Sequence, residues 1–248
     1  MEFLLLAVGG VLAGITNSLT GGGSLVSLPI LMLFDLSSIQ SIATNRFAII
    51  FLSTAAAYSY HKQGHYKVDT AIPIGLTTGA GAIAGAFITV SLSAYAMNLV
   101  VLLLVYCFAI YLFVPKNILN TSDQNTSSPV RSAGFFLMLF GLGIYGGFIG
   151  VSVSTMTVIL LKKSRGYSNL KSFGINQISI LILSVTASAV FFWKGVISFS
   201  HAAFLAVGMA IGGYFGPFVA EKVGEQKLNI LLRIMIIALA IRFTMKVF

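Results

Sequence analysis

The sequence has very few charged side chains. Only 8% of its 248 residues are charged, 15 Lys and Arg against 6 Asp and Glu, whereas an ordinary soluble domain has about 25%. So few charges do not cover the surface of a folded chain in water. The scarcity excludes a soluble enzyme, a nucleic-acid-binding domain and a disordered chain. With 57% hydrophobic residues, the chain is predicted to be an all-α polytopic membrane protein.

Two further scarcities narrow the chemistry. The one cysteine, Cys107, lies within an apolar run, which leaves no disulfide framework and no thiol metal site. The six acids fall in loops or at the ends of apolar runs, whereas membrane sodium sites commonly use carboxylates within the spans. An enzyme would need an acid–His pair, a metal cluster or an activated nucleophile there. We therefore expect no enzyme, no metal site and no cofactor.

What the sequence does have is apolar runs, in two sets of five. They cover residues 3–16, 24–34, 40–60, 70–92 and 96–114, then 133–150, 155–161, 172–193, 199–220 and 228–247. A spanning helix needs about 20 apolar residues, so the first two runs of the chain are each too short to cross. The stretch between the two sets is polar and is the only linker-like composition in the chain.

One ungapped offset of 131 residues relates the two sets. It pairs polar residues, such as Asn45 with Asn176, as well as the boundaries of the runs. A single register of this kind indicates an internal duplication. The predicted organisation is a first transmembrane repeat, a polar linker and a second transmembrane repeat, covering residues 1–117, 118–131 and 132–248.

Two topologies are compatible with these runs. The short first pair of each repeat forms either one broken spanning helix, which gives four spans per repeat, or a re-entrant pair, which leaves three. Basic residues gather on the cytoplasmic side of a membrane. Four spans distribute Lys and Arg equally, whereas the re-entrant arrangement places most of them on one side. We therefore favour a short broken or re-entrant helix pair followed by three spanning helices, with the second repeat inverted relative to the first.

A glycine-rich break is the most informative motif. Residues 14–29 read Gly-Ile-Thr-Asn-Ser-Leu-Thr-Gly-Gly-Gly-Ser-Leu-Val-Ser-Leu-Pro, and each glycine inside a helix costs about 1 kcal/mol relative to alanine. Three glycines expose backbone N–H groups to a ligand, and the next helix presents its positive end to an anion. Unwound backbone in a membrane must line protein or a water-filled cavity. The alternative is a close helix-packing turn. The expected binding groups are Asn17, Thr20, Gly21, Gly22, Gly23 and Ser24.

A second landmark is Thr44-Asn45-Arg46, early in the third apolar run. Arg46 lies about eight residues into the predicted helix, roughly 12 Å along its axis. A cation that deep in a membrane is costly unless it faces a cavity or a partner. We expect Arg46, with Thr44 and Asn45, to hold an anion. The alternative is that its side chain extends back to the membrane surface.

These motifs resemble those of the TauE/SafE family of sulfite exporters. The likeness rests on Thr-Gly-Gly-Gly with its following proline and on the Ala-Thr-Asn-Arg that begins at Ala43. Residues 62–69 look like the family's basic loop, and Gly79, Gly81 and Gly85 look like its small-residue stripe. The resemblance covers essentially the whole chain, since the family is itself a duplicated membrane unit of this size. It implies a transporter of a small anion, sulfite or an organosulfonate such as sulfoacetate.

The second repeat departs from the first at both motifs. At the offset of 131, Ser152 and Ser154 stand where the first repeat has glycines, and Asn176-Gln177 replaces Asn-Arg. This predicts a softer helix break, with hydroxyl and amide groups and no charge. We therefore expect one anion site, centred on the glycines and the arginine of the first repeat and completed by Ser152, Ser154, Asn176 and Gln177.

Proton coupling would need a group other than a carboxylate within the spans. His201 lies near the start of an apolar run and is the best placed candidate, because histidine changes its charge near physiological pH. The alternative is a structural role for this side chain at the membrane surface.

Taken together, the sequence predicts a secondary transporter of a small anion, most readily sulfite or a small organosulfonate, in the cytoplasmic membrane. Transport would proceed by alternating access. A passive anion channel, and a carrier of carboxylates or other oxyanions with the same fold, are the alternatives. The expected partners are the anionic substrate and the lipid bilayer, with no nucleic acid. A homodimer is left open.

Overall fold

A computed structural model describes residues 2–34, 36–113 and 132–220 of the chain, with side chains described for residues 2–18, 21–34, 36–103 and 132–218. The predicted linker and the last apolar run lie outside these residues. The described helices are α1 (Glu2–Thr20), α2 (Ser24–Met32), α3 (Ser38–Lys62), α4 (Val68–Ser91), α5 (Ala94–Phe113), α6 (Ser132–Phe148), α7 (Val153–Arg165), α8 (Asn169–Trp193) and α9 (Phe199–Ala220).

The described helices have the character of membrane spans. Three of them, α4, α8 and α9, are long and apolar enough to cross a bilayer. Large apolar side chains such as Leu76, Leu103 and Val207 are exposed on the outside of the bundle, where a soluble protein would carry polar groups. The prediction of an all-α polytopic membrane protein is therefore confirmed.

The chain reverses direction between α1 and α2. A methyl group added to Gly9 would overlap the side chain of Ile30, and one added to Gly23 would lie 2.6 Å from the carbonyl oxygen of Ala13. The two helices are therefore adjacent and antiparallel, and both return to the same end of the bundle. With 19 residues, α1 is longer than its apolar run. The helix continues through its polar residues because a hydroxyl can bond within the helix. The Thr16 hydroxyl donates to the Leu12 carbonyl at 2.7 Å.

The chain reverses in the same way between α6 and α7. The guanidinium of Arg165, the last residue of α7, lies 4.3 Å from the ring centroid of Phe135 near the start of α6. The prediction of a softer break here is wrong. Gly150 and Ser152 have φ of 66° and 58°, and the Tyr145 hydroxyl donates to the Val151 carbonyl at 2.8 Å. Left-handed backbone ends a helix whether the residue is glycine or serine.

Each reversed pair packs against a helix from the other half of the chain. Helix α1 lies along α9, and α6 lies along α4. A methyl on Gly14 would lie 2.6–2.8 Å from the backbone of Gly212 and the following residue, and one on Gly81 would overlap the backbone of α6. Only residues without side chains allow this approach. Glycines of α9 thus allow close packing against α1.

Helices α3 and α8 lie at the centre and pack against each other. The Ser198 N–H, beyond the end of α8, donates at 3.0 Å to Thr44 near the start of α3. At the other end, a methyl on Gly174 near the start of α8 would lie 2.5 Å from the ring of Tyr66, beyond the end of α3. The two helices are therefore antiparallel.

The bounds of these central helices reproduce the sequence offset. Ser38–Lys62 and Asn169–Trp193 begin and end 131 residues apart. Their N-caps are also equivalent, since Ser37 and Ser168 each accept a backbone N–H three residues on. The duplication and its inversion stay predictions, which these bounds and the helix directions support.

Candidate functional site

The two helix reversals meet inside the bundle. Gly21 has φ of 73°, and a methyl there would lie 2.6 Å from the backbone nitrogen of Thr155 and 2.9 Å from Cβ of Ser154. Gly21 therefore meets two requirements at once, a left-handed conformation and close contact with the start of α7. Gly22 lies in the same turn, and its carbonyl accepts the Leu25 N–H at 2.9 Å.

The start of α2 is tied to α3 by an asparagine. Ser27 donates to Asn45 Oδ1 at 2.6 Å, and Asn45 Nδ2 donates to Ser24 at 3.4 Å. Asn17 packs against Gly23, and its Nδ2 has no hydrogen-bond partner within the described chain. The structure thus brings these predicted residues together. Sequence reasoning missed Ser27, although its position three residues after Ser24 on one helix face was a usable signal.

Thr20 is the last residue of α1, and its side chain lies outside the described residues.

Arg46 points from α3 at the second reversal. Its side chain is 1% exposed, so it does not extend to the membrane surface. Nη2 donates to the carbonyl of Gly146 and, at 3.4 Å, to that of Ile149. These are carbonyls at the negative end of α6. Any side chain on Gly150 would overlap the guanidinium. The sequence carried no direct sign of this contact, because its partners lie about a hundred residues away.

Among the residues that the structure describes, no acid neutralises the charge of Arg46. Within the described residues, its guanidinium forms no salt bridge; the ion pair found there joins His201 and Glu2. Its Nε also has no hydrogen-bond partner in that part of the chain. A helix C-terminus carries about half a negative charge, which offsets part of the full positive charge. The reversals therefore meet beside a buried cation that would gain from an anion.

Asn176 and Gln177 are the counterparts of Asn45 and Arg46 on α8. Both side chains are 0% exposed, and none of their four amide nitrogen and oxygen atoms has a partner among the described residues. The difference has a simple origin, because Val158 stands at the offset position of the serine that bonds Asn45. Four amide atoms in the interior are therefore without a partner in the part of the chain that the structure describes.

Ser154 and Ser152 belong to the second reversal. Ser154 is 3% exposed and lies against the turn of the first reversal. Ser152 adopts the left-handed conformation just before α7 and is half-buried. Both serines thus occupy the region in which the two turns meet.

Thr44 and His201 lie apart from the turns, near one end of the bundle. Thr44 is 0% exposed, and its hydroxyl oxygen accepts the Ser198 N–H. The Ser198 hydroxyl lies 2.7 Å from His201 Nδ1, and His201 Nε2 lies 3.0 Å from Glu2 Oε1. These contacts therefore connect Glu2, at the surface, to Thr44, which lies two residues before Arg46 in α3. Sequence reasoning missed Glu2 and Ser198.

Two helix breaks that meet beside a buried charge in an all-α membrane protein are the architecture of a membrane transport protein. The sequence comparisons agree. Residues 6–243 match the family described as sulfite exporter TauE/SafE, and the chain belongs to that family.

Similar curated proteins are also membrane transporters by name. The probable membrane transporter protein ORF9 of Sinorhizobium sp is 26% identical, over 98% of this chain and 93% of that protein. The probable membrane transporter protein YunE of Bacillus subtilis (strain 168) is 23% identical, over 96% and 95%. YfcA of Escherichia coli (strain K12), another probable membrane transporter protein, is 22% identical over 87% and 80%. No solved structure matches the chain.

Proposed function

We propose that this membrane transport protein is a secondary transporter of a small oxyanion, sulfite or a small organosulfonate, in the cytoplasmic membrane. The observation that carries the proposal is the buried guanidinium of Arg46, which forms no salt bridge within the described chain. A buried cation without a counterion costs several kcal/mol. A transported anion would remove that cost each time it binds.

The neutral groups of the site also suit an oxyanion. Four donors have no partner within the described ranges, namely Asn17 Nδ2, Arg46 Nε, Asn176 Nδ2 and Gln177 Nε2. Helices α2 and α7 contribute first-turn N–H groups. A sulfite or sulfonate group presents three oxygen acceptors to such donors. The two unpaired amide oxygens on α8 can accept from water or from a protonated oxyanion.

The chain directions support alternating access. The pairs α1–α2 and α6–α7 enter from opposite ends of the bundle and meet at their turns. In inverted repeats, rocking of one half against the other exposes such a central site to each side in turn. The loops at the α3–α4 and α7–α8 end are rich in Lys and Arg, which supports a cytoplasmic position for that end.

Cysteine labelling checks this sidedness. In a variant in which Cys107 is replaced by serine, Lys62→Cys and Lys163→Cys should react with an impermeant reagent only from the cytoplasmic side, and Ser200→Cys only from outside. All three positions are exposed. Labelling of Lys62→Cys and Lys163→Cys from opposite sides would contradict the re-entrant arrangement.

His201 is the proposed proton-coupling group. Its contact with Glu2 is an ion pair only while the imidazole is protonated. The pair joins the start of α1 to the start of α9, so protonation would hold these two helix starts together at that end of the bundle.

The transport proposal is tested with the full-length protein in proteoliposomes. Wild type should exchange sulfite or sulfoacetate, with uptake of labelled anion accelerated by unlabelled anion inside. Arg46→Ala should lose binding of every anion that wild type binds, whereas Lys62→Ala, which removes an exposed cation from the same helix, should keep it. Size-exclusion elution confirms folding. Unchanged affinity in Arg46→Ala would refute the site.

Exchange kinetics separate the proposal from the channel. A passive anion channel uses the same donors and the same charge but shows no acceleration by unlabelled anion on the far side. Flux without that acceleration would refute alternating access while leaving anion binding at Arg46 intact. A panel that includes carboxylates identifies the oxyanion class.

A further inference from the structure

Buried polar groups without partners are concentrated on the two central helices. Eight residues in the described part of the chain have buried side-chain nitrogen or oxygen atoms that make no hydrogen bond, and seven of the eight lie on α3 or α8. They are Asn17 on α1, Ser41, Arg46 and Ser53 on α3, and Asn176, Gln177, Ser184 and Ser188 on α8.

The serines of this set differ from other hydroxyl residues in the bundle. Thr16, Thr54 and Thr157 each donate to the carbonyl four residues earlier, at 2.7–2.9 Å. Any serine or threonine in a helix can make that bond. Ser53 and Ser184 do not make it and find no other partner among the described residues. Their hydroxyl groups are thus available to a partner other than the described residues.

Most of these groups share one face of each helix. On α8, Gln177, Ser184 and Ser188 are separated by seven and four residues, which is the spacing of a single helical face. Ile182 contacts a glycine of α4, and it lies two residues from Ser184, on the opposite side of α8. On α3, Arg46 and Ser53 show the same spacing of seven. The polar faces therefore point away from the α4 contact and into the bundle.

The polar groups of the two helices also match in depth. Arg46 is eight residues from the start of α3, and Ser184 is nine residues from the end of α8. Because the helices are antiparallel, both lie about 12–14 Å from the same surface. Ser53 is nine residues from the end of α3, and Gln177 is eight from the start of α8. These two lie at the corresponding depth from the other surface.

Unpaired groups in such positions are costly. Each buried donor or acceptor without a partner costs about 1–3 kcal/mol, and the hydrocarbon of a bilayer offers no replacement. We propose that a hydrated passage, open to one side of the membrane at a time, runs along the α3–α8 interface, and that the transported anion crosses through it. The Arg46–Ser184 layer and the Ser53–Gln177 layer bind the anion in turn. This inference rests on the proposed transport function and adds the route and Ser53, Ser184 and Ser188.

The test uses full-length protein carrying Cys107→Ser, so that each introduced cysteine is the only one. Ser53→Cys, Ser184→Cys and Ser188→Cys probe the passage, since cysteine is close to serine in size. Ser179→Cys is the matched control. Ser179 is also 0% exposed on α8, but its hydroxyl lies 2.9 Å from that of a threonine on α4.

The readout is the rate of labelling in proteoliposomes by anionic and cationic methanethiosulfonates. The cysteine thiolate, which forms where water reaches the sulfur, attacks the reagent and forms a mixed disulfide as methanesulfinate leaves. The three passage cysteines should react at least about tenfold faster than Ser179→Cys. At position 184 the anionic reagent should react faster than the cationic one, because Arg46 lies at the same depth. Sulfoacetate should slow labelling. It is used as the test anion in place of sulfite, because sulfite would cleave the mixed disulfide that labelling forms.

Each outcome decides one proposal. Labelling of the three variants no faster than that of Ser179→Cys would overturn the passage, even if anion exchange is intact. Rapid labelling in a protein that exchanges no anion would support the passage and refute the proposed function. Rapid labelling that sulfoacetate does not slow would show a hydrated interface that the anion does not use, which overturns the proposed route.

Discussion

The unpaired amide of Asn176 permits a decisive stability experiment. Its counterpart, Asn45, has the same side chain and nearly the same burial, 1% against 0% exposed. Asn45 is bonded to Ser27 at 2.6 Å and to Ser24 at 3.4 Å, whereas neither amide atom of Asn176 has a partner in the described chain. Replacing each by leucine changes size and shape equally, so the difference between the variants isolates the hydrogen bonding.

The expected difference follows from those contacts. Asn45→Leu removes two hydrogen bonds, each worth about 0.5–1.5 kcal/mol, and lowers the free energy of unfolding. Asn176→Leu removes no hydrogen bond to protein found in the described chain. Without ligand, Asn176→Leu should therefore be more stable than Asn45→Leu by about 1–3 kcal/mol. In a chain of this size that corresponds to roughly 2–12 °C in Tm.

The assay is thermal unfolding of the two purified variants in the same detergent at one scan rate. A second scan with saturating sulfoacetate measures the ligand. An anion at 100 times its Kd stabilises the folded state by about 2.7 kcal/mol. Wild type should show such a shift, and Asn176→Leu should not. Equal destabilisation of the two variants would refute the reasoning, because the amide of Asn176 would then be satisfied by protein groups in the working protein.

Two further predictions concern the turn and the surface histidine. Gly21→Ala should lose transport and fold less stably than Gly64→Ala, measured by exchange and by Tm. Both glycines have positive φ, 73° and 74°, but a methyl on Gly21 would meet Thr155, whereas nothing lies within 4 Å of a methyl on Gly64. Equal effects of the two substitutions would contradict a functional contact between the turns. His201→Gln should weaken the dependence of exchange on pH, because it removes the protonatable partner of Glu2, whereas His65→Gln should leave it unchanged. An unaltered profile in His201→Gln would exclude this residue from coupling.

The sequence predicted the elements that have local causes. The three successive glycines at 21–23 predicted the position of the first helix break, because glycine is unfavourable inside a helix. Adding the offset of 131 to the first and last residues of α3 gives the first and last residues of α8. The second break was underestimated, because Ser152 is not a residue type that marks left-handed backbone, and its φ of 58° becomes visible only in the structure.

The site itself could be predicted only in part. The depth of Arg46 in its helix indicated burial, and the structure shows it 1% exposed. Its bonds to the carbonyls of Gly146 and Ile149 depend on packing between distant segments, which no local pattern specifies. The sequence could not predict either that Asn176 has no hydrogen-bond partner among the described residues, because this depends on which side chains the neighbouring helices place around it.

The absence of an arginine at the position equivalent to Arg46 in the second repeat has a consequence for transport as well as for binding. An exact duplicate would carry a second arginine at position 177, and an anion held between two guanidinium groups would leave slowly. Gln177 keeps hydrogen-bonding capacity at that depth without charge. Conduction through a pore requires binding that is favourable enough for entry and weak enough for release. The anion should therefore bind more tightly in the layer of Arg46 than in that of Gln177, and the two ends of the passage should differ in apparent affinity.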